Sequence, residues 1–288
     1  MLDPTALVRP DDDPLDIRKD NIFKAVFTKN TPESTGALSN LVSALIGRNM
    51  TVVSILTNEP AIDDVHDRQV RFDISCKAED GELINVEMSL NPDKDEPVRL
   101  EFYTAKLFIG QDIRGKDKSF EDLKQTYQIA IMAKERFFQD TNFFHAFEYY
   151  DPKNKVSLNG RTQIITLELH KVDKIVEKPI DEMSVSERWA VYFEYLQDKQ
   201  KRGKINEILK EEGGIAMASQ VLMTISRDEK ERARLLSEYK GAVDTQSKVV
   251  NAKREERAEV ARKALAEGLS LEVVQKITGL DIEAIKKL

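Results

Sequence analysis

Apolar residues recur along the chain at two different periods, and the change from one to the other outlines its architecture. Between Asp16 and Phe27 (DIRKDNIFKAVF), Ile17, Ile22, Phe23, Val26 and Phe27 fall on one face at helical spacing, which predicts a short amphipathic helix. A second helix is predicted from Thr35 to Ile46, with Leu38, Leu41, Val42, Leu45 and Ile46 as its stripe and Gly47 as its stop. Three strand-like runs follow, Thr51 to Asn58, Arg68 to Ala78 and Glu82 to Asn91, with Glu79, Asp80 and Gly81 as a tight turn between the last two. The helical period returns from Pro97 to Ile109 and from Phe120 to Phe138, and Gln163 to Leu169 is a late strand. After residue 180 strand signals stop. Met183 to Gln197 reads as a helix capped by Ser184 or Ser186, and Asn251 to Glu267 as a charged, alanine-rich one ended by Gly268. Two short helices around Gly279 close the chain. This order predicts an α/β core, helices on a mixed sheet, followed by an all-helical C-terminal region.

The composition narrows the function classes. Hydrophobic residues make up 41% and charged residues 33% of 288, a balance that suits a folded chain and excludes a disordered one. No apolar run reaches the roughly 18 residues needed to span a bilayer, so no membrane role is expected. The opening MLDPTALVRPDDDP lacks the basic and apolar regions of a secretory signal, and the single cysteine, Cys76, cannot form an internal disulfide; both predict a cytoplasmic location. His66, His145 and His170 are dispersed without metal-ligand spacing, and no glycine-rich phosphate loop or GxSxG elbow occurs.

The net charge of −7 is unevenly spread. Residues 31–98 hold 13 acids against 5 bases, while the remaining 220 residues sum to +1. Most of these acids, including Asp63, Asp64, Asp67, Glu79, Asp80, Asp93, Asp95 and Glu96, fall in predicted turns and are expected to be solvated.

Two acids stand apart because they interrupt apolar strands. Alternation places Asp73, Ser75 and Lys77 on one face of RFDISCK and Phe72, Ile74 and Cys76 on the other. In NVEMSLN it groups Glu87, Ser89 and Asn91, opposite Val86, Met88 and Leu90. Antiparallel pairing through the tight turn brings Asp73 beside Glu87. Two like charges on an apolar sheet are costly, and a divalent cation relieves that cost, as does plain exposure of the hairpin face to water.

The hairpin with FDIS and NVEMS resembles the core of PD-(D/E)XK nucleases, and specifically the recombination-promoting nuclease (Rpn)/putative transposase family. KDNIFKAVF resembles that family's opening element, VRLEFYTAKLF the helix after its acidic strands, and TLELHKVDK its late strand. SERWAVYFEYL and EGLSLEVVQKITGLDIEAIKKL resemble its later helix and its helical tail. The resemblance implies a nuclease-like domain at 1–180, a helical extension at 181–250 and a tail at 251–288 similar to a helix-turn-helix. It also implies Asp73 and Glu87 as ligands of Mg²⁺, or of Mn²⁺ or Ca²⁺, with the Met88 carbonyl as a third oxygen and Asp20 as an acid that some relatives add.

The chain departs from the family at Ser89, where such nucleases carry Lys and this family usually carries Gln. Serine is too weakly acidic to act as a base and too short to reach a phosphate as lysine does. Three readings stay open: Lys77 or Lys106 replaces the missing group, the cation works without it, or catalysis is lost. Arg99 and Tyr103, one helical turn apart, are candidates to bind phosphate or to brace the carboxylates.

The resulting expectation is a Mg²⁺-dependent DNA endonuclease in recombination, transposon-like mobility or defence against foreign DNA. The alternative is a silent nuclease fold acting as a DNA- or protein-binding module. DNA binding should be weak, salt-sensitive and dependent on the cation, since no strongly basic surface is present. Lys77, Arg99, Lys106 and Arg114 are the bases expected to line a groove beside the acids. Trp189, Phe193 and Leu196 form an expected core stripe, and the aromatic run Phe143, Phe144, Phe147, Tyr149 and Tyr150 is expected to pack under a loop. Residues 250–288 carry 8 bases and 7 acids, a balance that favours self-association over DNA contact for the tail.

Overall fold

A computed structural model describes residues 3–56, 72–92, 95–113, 116–133 and 137–288. His66, Arg114, Asp63, Asp64, Asp67 and Asp93, and the outer parts of the first two expected strands, lie outside the described residues.

Helix α1 (Asp20–Phe27) begins later than the apolar period suggests, because the Asp16 carboxylate accepts from the Arg18 main-chain N–H at 3.1 Å and holds the preceding residues in a turn. Helix α2 (Pro32–Ile46) starts on a proline, with Thr31 capping the Ser34 N–H, and stops at Gly47 in the left-handed region. Strands β1 (Val52–Ile55), β2 (Ile74–Ala78) and β3 (Leu83–Ser89) and helix α3 (Glu96–Ile109) follow as expected in type and order.

The expected helix from Phe120 to Phe138 is not formed. A single 3₁₀ turn at Phe120–Asp122 precedes strand β4 (Thr126–Met132), every residue of which is buried. A strand covered on both faces shows no polar alternation, and a short apolar run such as TYQIAIM then carries no period that separates strand from helix. The chain continues through β5 (Phe144–Phe147), β6 (Tyr150–Asp151), β7 (Val156–Ser157) and β8 (Thr162–Glu168). The aromatic run therefore forms an edge strand and a small ribbon rather than packing under a loop, and Tyr149 and Tyr150 are exposed.

The main sheet has the order β1-β2-β3-β4-β8-β5. Its centre, β3, β4 and β8, is parallel, and β2, β1 and β5 are antiparallel to their neighbours. Helix α3 packs on the three central strands. Helices α4 (Val185–Tyr195), α5 (Arg202–Glu211) and α6 (Gly213–Arg227) come next, with Ser184 and Glu187 forming a capping box that fixes the start of α4. Trp189 and Phe193 of α4 meet Phe23 and Phe27 of α1 with ring centroids 5.9 to 6.4 Å apart, and all four are buried. The indole N–H of Trp189 donates to Asn40 of α2 at 2.8 Å, tying the late helices to the early ones. Residues through Arg232 form one compact unit, so helices α4 to α6 belong to the same unit as the sheet.

The second unit runs from Ala233 to Leu288. It holds most of α7 (Glu229–Ala266), which begins well before the expected residue 251, and α8 (Leu271–Thr278) and α9 (Ile282–Ile285) on either side of Gly279. Ala261, Val274 and Ile285 are its buried core, with Leu265, Leu271 and Leu280 packed around them. Among the described residues no helix is long and apolar enough to cross a membrane.

Candidate active site

The β2–β3 hairpin sets the position of the two acids. Gly81 takes a φ of 87° in the turn, a conformation costly for residues with a Cβ, and the register pairs Ile74 with Val86. One step further along that register, at the bend where β2 begins, Asp73 lies opposite Glu87. The main-chain N–H of Met88 donates to Asp73 Oδ2 at 3.1 Å, fixing one carboxylate from the strand that carries the other. Glu87 is 3% exposed. Asn85 Nδ2 donates to Glu87 Oε1 at 3.1 Å and to Gln128 Oε1 at 2.9 Å, while Glu87 Oε2 is buried with no hydrogen-bond partner.

Two cations face these acids. Arg99 on α3 lies 3.6 Å from Glu87 Oε2 and 2.5 Å from Glu96 Oε1, with its guanidinium over the Tyr103 ring. Lys24 on α1 lies 3.0 Å from Asp73 Oδ1 and 2.9 Å from Asp20 Oδ1. Asp20 is therefore brought to the site through Lys24. Sequence spacing missed Lys24 because its partner is 49 residues away on another element; the i,i+4 pair with Asp20 was its only local signal. Glu96, expected to be solvated, is buried at the first turn of α3 and clamped by Arg99.

Burial and mutual repulsion set the charge state. Loss of hydration pushes Asp73 up to about 6, with the Asp20 carboxylate adding to the rise and Lys24 opposing it. Glu87 is pushed up to about 8, first by burial and then by Asp73, with Arg99 pulling the other way. Burial would depress Lys24, but the Asp73 and Asp20 carboxylates outweigh it and hold the ammonium above its usual range.

The other expected residues are distributed as follows. Ser89 ends β3 two residues beyond Glu87, partly buried, and its carbonyl accepts from Ala133 at 2.9 Å. Met88 is buried and contributes the N–H described above. Tyr103 packs edge-on against Phe72, which turns toward Leu107 of α3 because the bend at Asp73 interrupts the alternation. Lys77 is not brought to the acids: four residues along β2 from Asp73, about 13 Å by strand rise, it is exposed beside the hairpin turn. Lys106 lies two turns beyond Arg99 with its ammonium 5.9 Å from the Phe102 ring centre. His145 pairs with Asp140 at 2.9 Å, and His170 lies 3.8 Å from Glu168. The buried Cys76 thiol is pushed up to about 12 and is inert.

Among the described residues no three His, Cys, Asp or Glu side chains form a complete metal cage. The donor set suits a hard cation that is held by one or two carboxylates and otherwise by water and a substrate phosphate. A buried carboxylate oxygen that accepts no hydrogen bond, on the strand beside a second acid, fits such an ion.

The family described as PD-(D/E)XK nuclease family transposase matches residues 17–252. The C-terminal HTH domain of the Rpn/YhgA-like nuclease family matches residues 254–288. Neither a curated protein nor a solved structure matches the chain.

Proposed function

We propose, for a chain that belongs to the PD-(D/E)XK nuclease family transposases, that Asp73 and Glu87 hold a divalent cation and that the protein hydrolyses phosphodiester bonds in DNA. The observation that carries this reading is the buried Glu87 carboxylate beside the partly buried Asp73 on the neighbouring strand, with Glu87 Oε2 lacking a hydrogen-bond partner. When bound, Mg²⁺ supplies a water of lowered pKa and neutralises charge on the phosphate.

This chain's own groups do the positioning. The Met88 N–H holds Asp73, and Asn85 holds one oxygen of Glu87 so that the other faces the site. Arg99 favours the ionised form of Glu87 while anchored by Glu96. In the hydrolysis a bond forms from the water oxygen to phosphorus as the bond from phosphorus to the leaving sugar oxygen breaks. The water's proton leaves to solvent, and the sugar oxygen gains one.

The biological setting that suits the family is recombination or transposon-like mobility, with defence against foreign DNA as a third. The test is plasmid nicking by the purified full chain with Mg²⁺ and with EDTA. Asp73→Ala and Glu87→Ala should abolish Mg²⁺-dependent cleavage, and equal nicking by the wild type and both variants would refute the assignment.

Ser89 favours a second reading, a nuclease fold that binds DNA or protein without cutting. For the tail, deletion of residues 254–288 separates the two expected roles. Weaker DNA binding at an unchanged oligomeric state assigns it to DNA, and a change of oligomeric state assigns it to self-association.

A further inference from the structure

The position two residues beyond Glu87 holds Ser89, which carries no charge and reaches little beyond its own strand. The site nevertheless contains an ammonium group, delivered from a different element. We propose that Lys24 of α1 is the residue that contacts the scissile phosphate, in place of the side chain missing at position 89. This inference rests on the reading of Asp73 and Glu87 as the cation-holding acids.

Several observations converge on it. Lys24 Nζ lies 3.0 Å from Asp73 Oδ1, so a phosphate arriving at an ion on Asp73 comes within reach of the lysine. Its side chain is 28% exposed, open to a ligand from solvent in a way that a sealed structural ion pair is not. The backbone that carries it is rigid, because Phe23 and Phe27, on either side of it in α1, are locked among Trp189 and Phe193. Lysine's four-carbon stem is flexible, so the ammonium can exchange one oxygen partner for another from that fixed root.

The competing bases are placed differently. Arg99 is held by Glu96 and faces Glu87. Lys77 sits about 13 Å along β2 from Asp73, and Lys106 is about 10 Å along α3 from Arg99.

The pairing also explains how the lysine is poised. Without a divalent ion, Lys24 bridges Asp20 and Asp73 and offsets their repulsion. With Asp73 engaged by an ion, Lys24 would be free to leave that carboxylate while Asp20, four residues earlier on the same helix, keeps it at the site, and a phosphate oxygen would become its second partner.

The experiment compares the full-length wild type with Lys24→Met, Lys24→Arg and the double variant Lys24→Met/Ser89→Lys. Thermal melting checks that each is folded. Anisotropy of a labelled DNA duplex with Ca²⁺ reads the phosphate contact, and plasmid nicking with Mg²⁺ reads turnover. Lys24→Met is expected to weaken duplex binding about tenfold and to slow nicking about 100-fold. Lys24→Arg keeps most of the binding, and a lysine returned at position 89 restores a measurable part of whichever function Lys24→Met lost.

A merely structural ion pair would not be rescued from position 89. Lys24→Met that binds and cuts within about twofold of wild type overturns the proposal, and so does a folded double variant that recovers neither function. A wild type that binds with this pattern of variants but does not cut upholds the lysine contact and counts against hydrolysis alone. A wild type that neither binds nor cuts overturns both.

Discussion

Arg99 and Glu87 lie 3.6 Å apart, the arginine on α3 and the glutamate in the middle of a buried sheet, so the guanidinium favours the ionised form of a carboxylate that burial disfavours. Burial and then Asp73 push Glu87 up to about 8, and Arg99, followed by the hydrogen bond from Asn85, opposes them. Cation binding requires the carboxylate form. Arg99→Met should therefore move the pH at which the protein binds Mn²⁺ upward by about one unit or more. Calorimetric titrations from pH 6 to 9 measure this. An unchanged pH profile would mean that Arg99 does not tune Glu87.

The same two acids give the metal-free protein a characteristic pH dependence. Their folded values, about 6 and about 8, lie above the ordinary 3.8 and 4.5, so the folded state binds protons more tightly than the unfolded chain. Their contribution to stability is complete below about pH 4 and is lost as pH rises through 6 and 8. Urea unfolding in EDTA should show this component of stability falling between pH 5 and 8. Glu87→Gln, which has no charge to bury, should flatten the upper part of that fall.

A packing prediction concerns the junction of early and late helices. A Cβ on Gly214 would lie 2.1 to 2.4 Å from the side chain of Asn40, whose oxygen accepts from Trp189 and whose nitrogen donates to Glu212. Gly214→Ala must displace that side chain and break its hydrogen bonds. The expected loss is about 1–3 kcal/mol, read as a lower urea midpoint with an unchanged slope. A neutral substitution would show that the junction can repack.

Much of this architecture is written locally. The α1 stripe, the α2 stop at Gly47, the Ser184 cap and the hairpin around Gly81 are short-range signals, and the structure forms each of them. β4 was illegible because burial on both faces removes the alternation that marks a strand. At the site, strand spacing was enough to set Asp73 beside Glu87, since antiparallel register follows from the turn. Lys24 and Glu96 show only local i,i+4 and i,i+3 charge pairs in the sequence, with Asp20 and Arg99, and their placement at the acids comes from helices packing onto the sheet. Part of the acidic excess of residues 31–98 is not solvated: Glu87 and Glu96 are buried and Asp73 is partly buried at the candidate site.

The most direct test of the central claim is an anomalous difference map from crystals of the full-length protein soaked in Mn²⁺. A single peak within ligand distance of both the Asp73 and Glu87 carboxylates is the predicted result, with Lys24 Nζ moved off Asp73. Saturating Mn²⁺ that leaves no peak between these carboxylates, or binds elsewhere with Lys24 still on Asp73, would contradict the account.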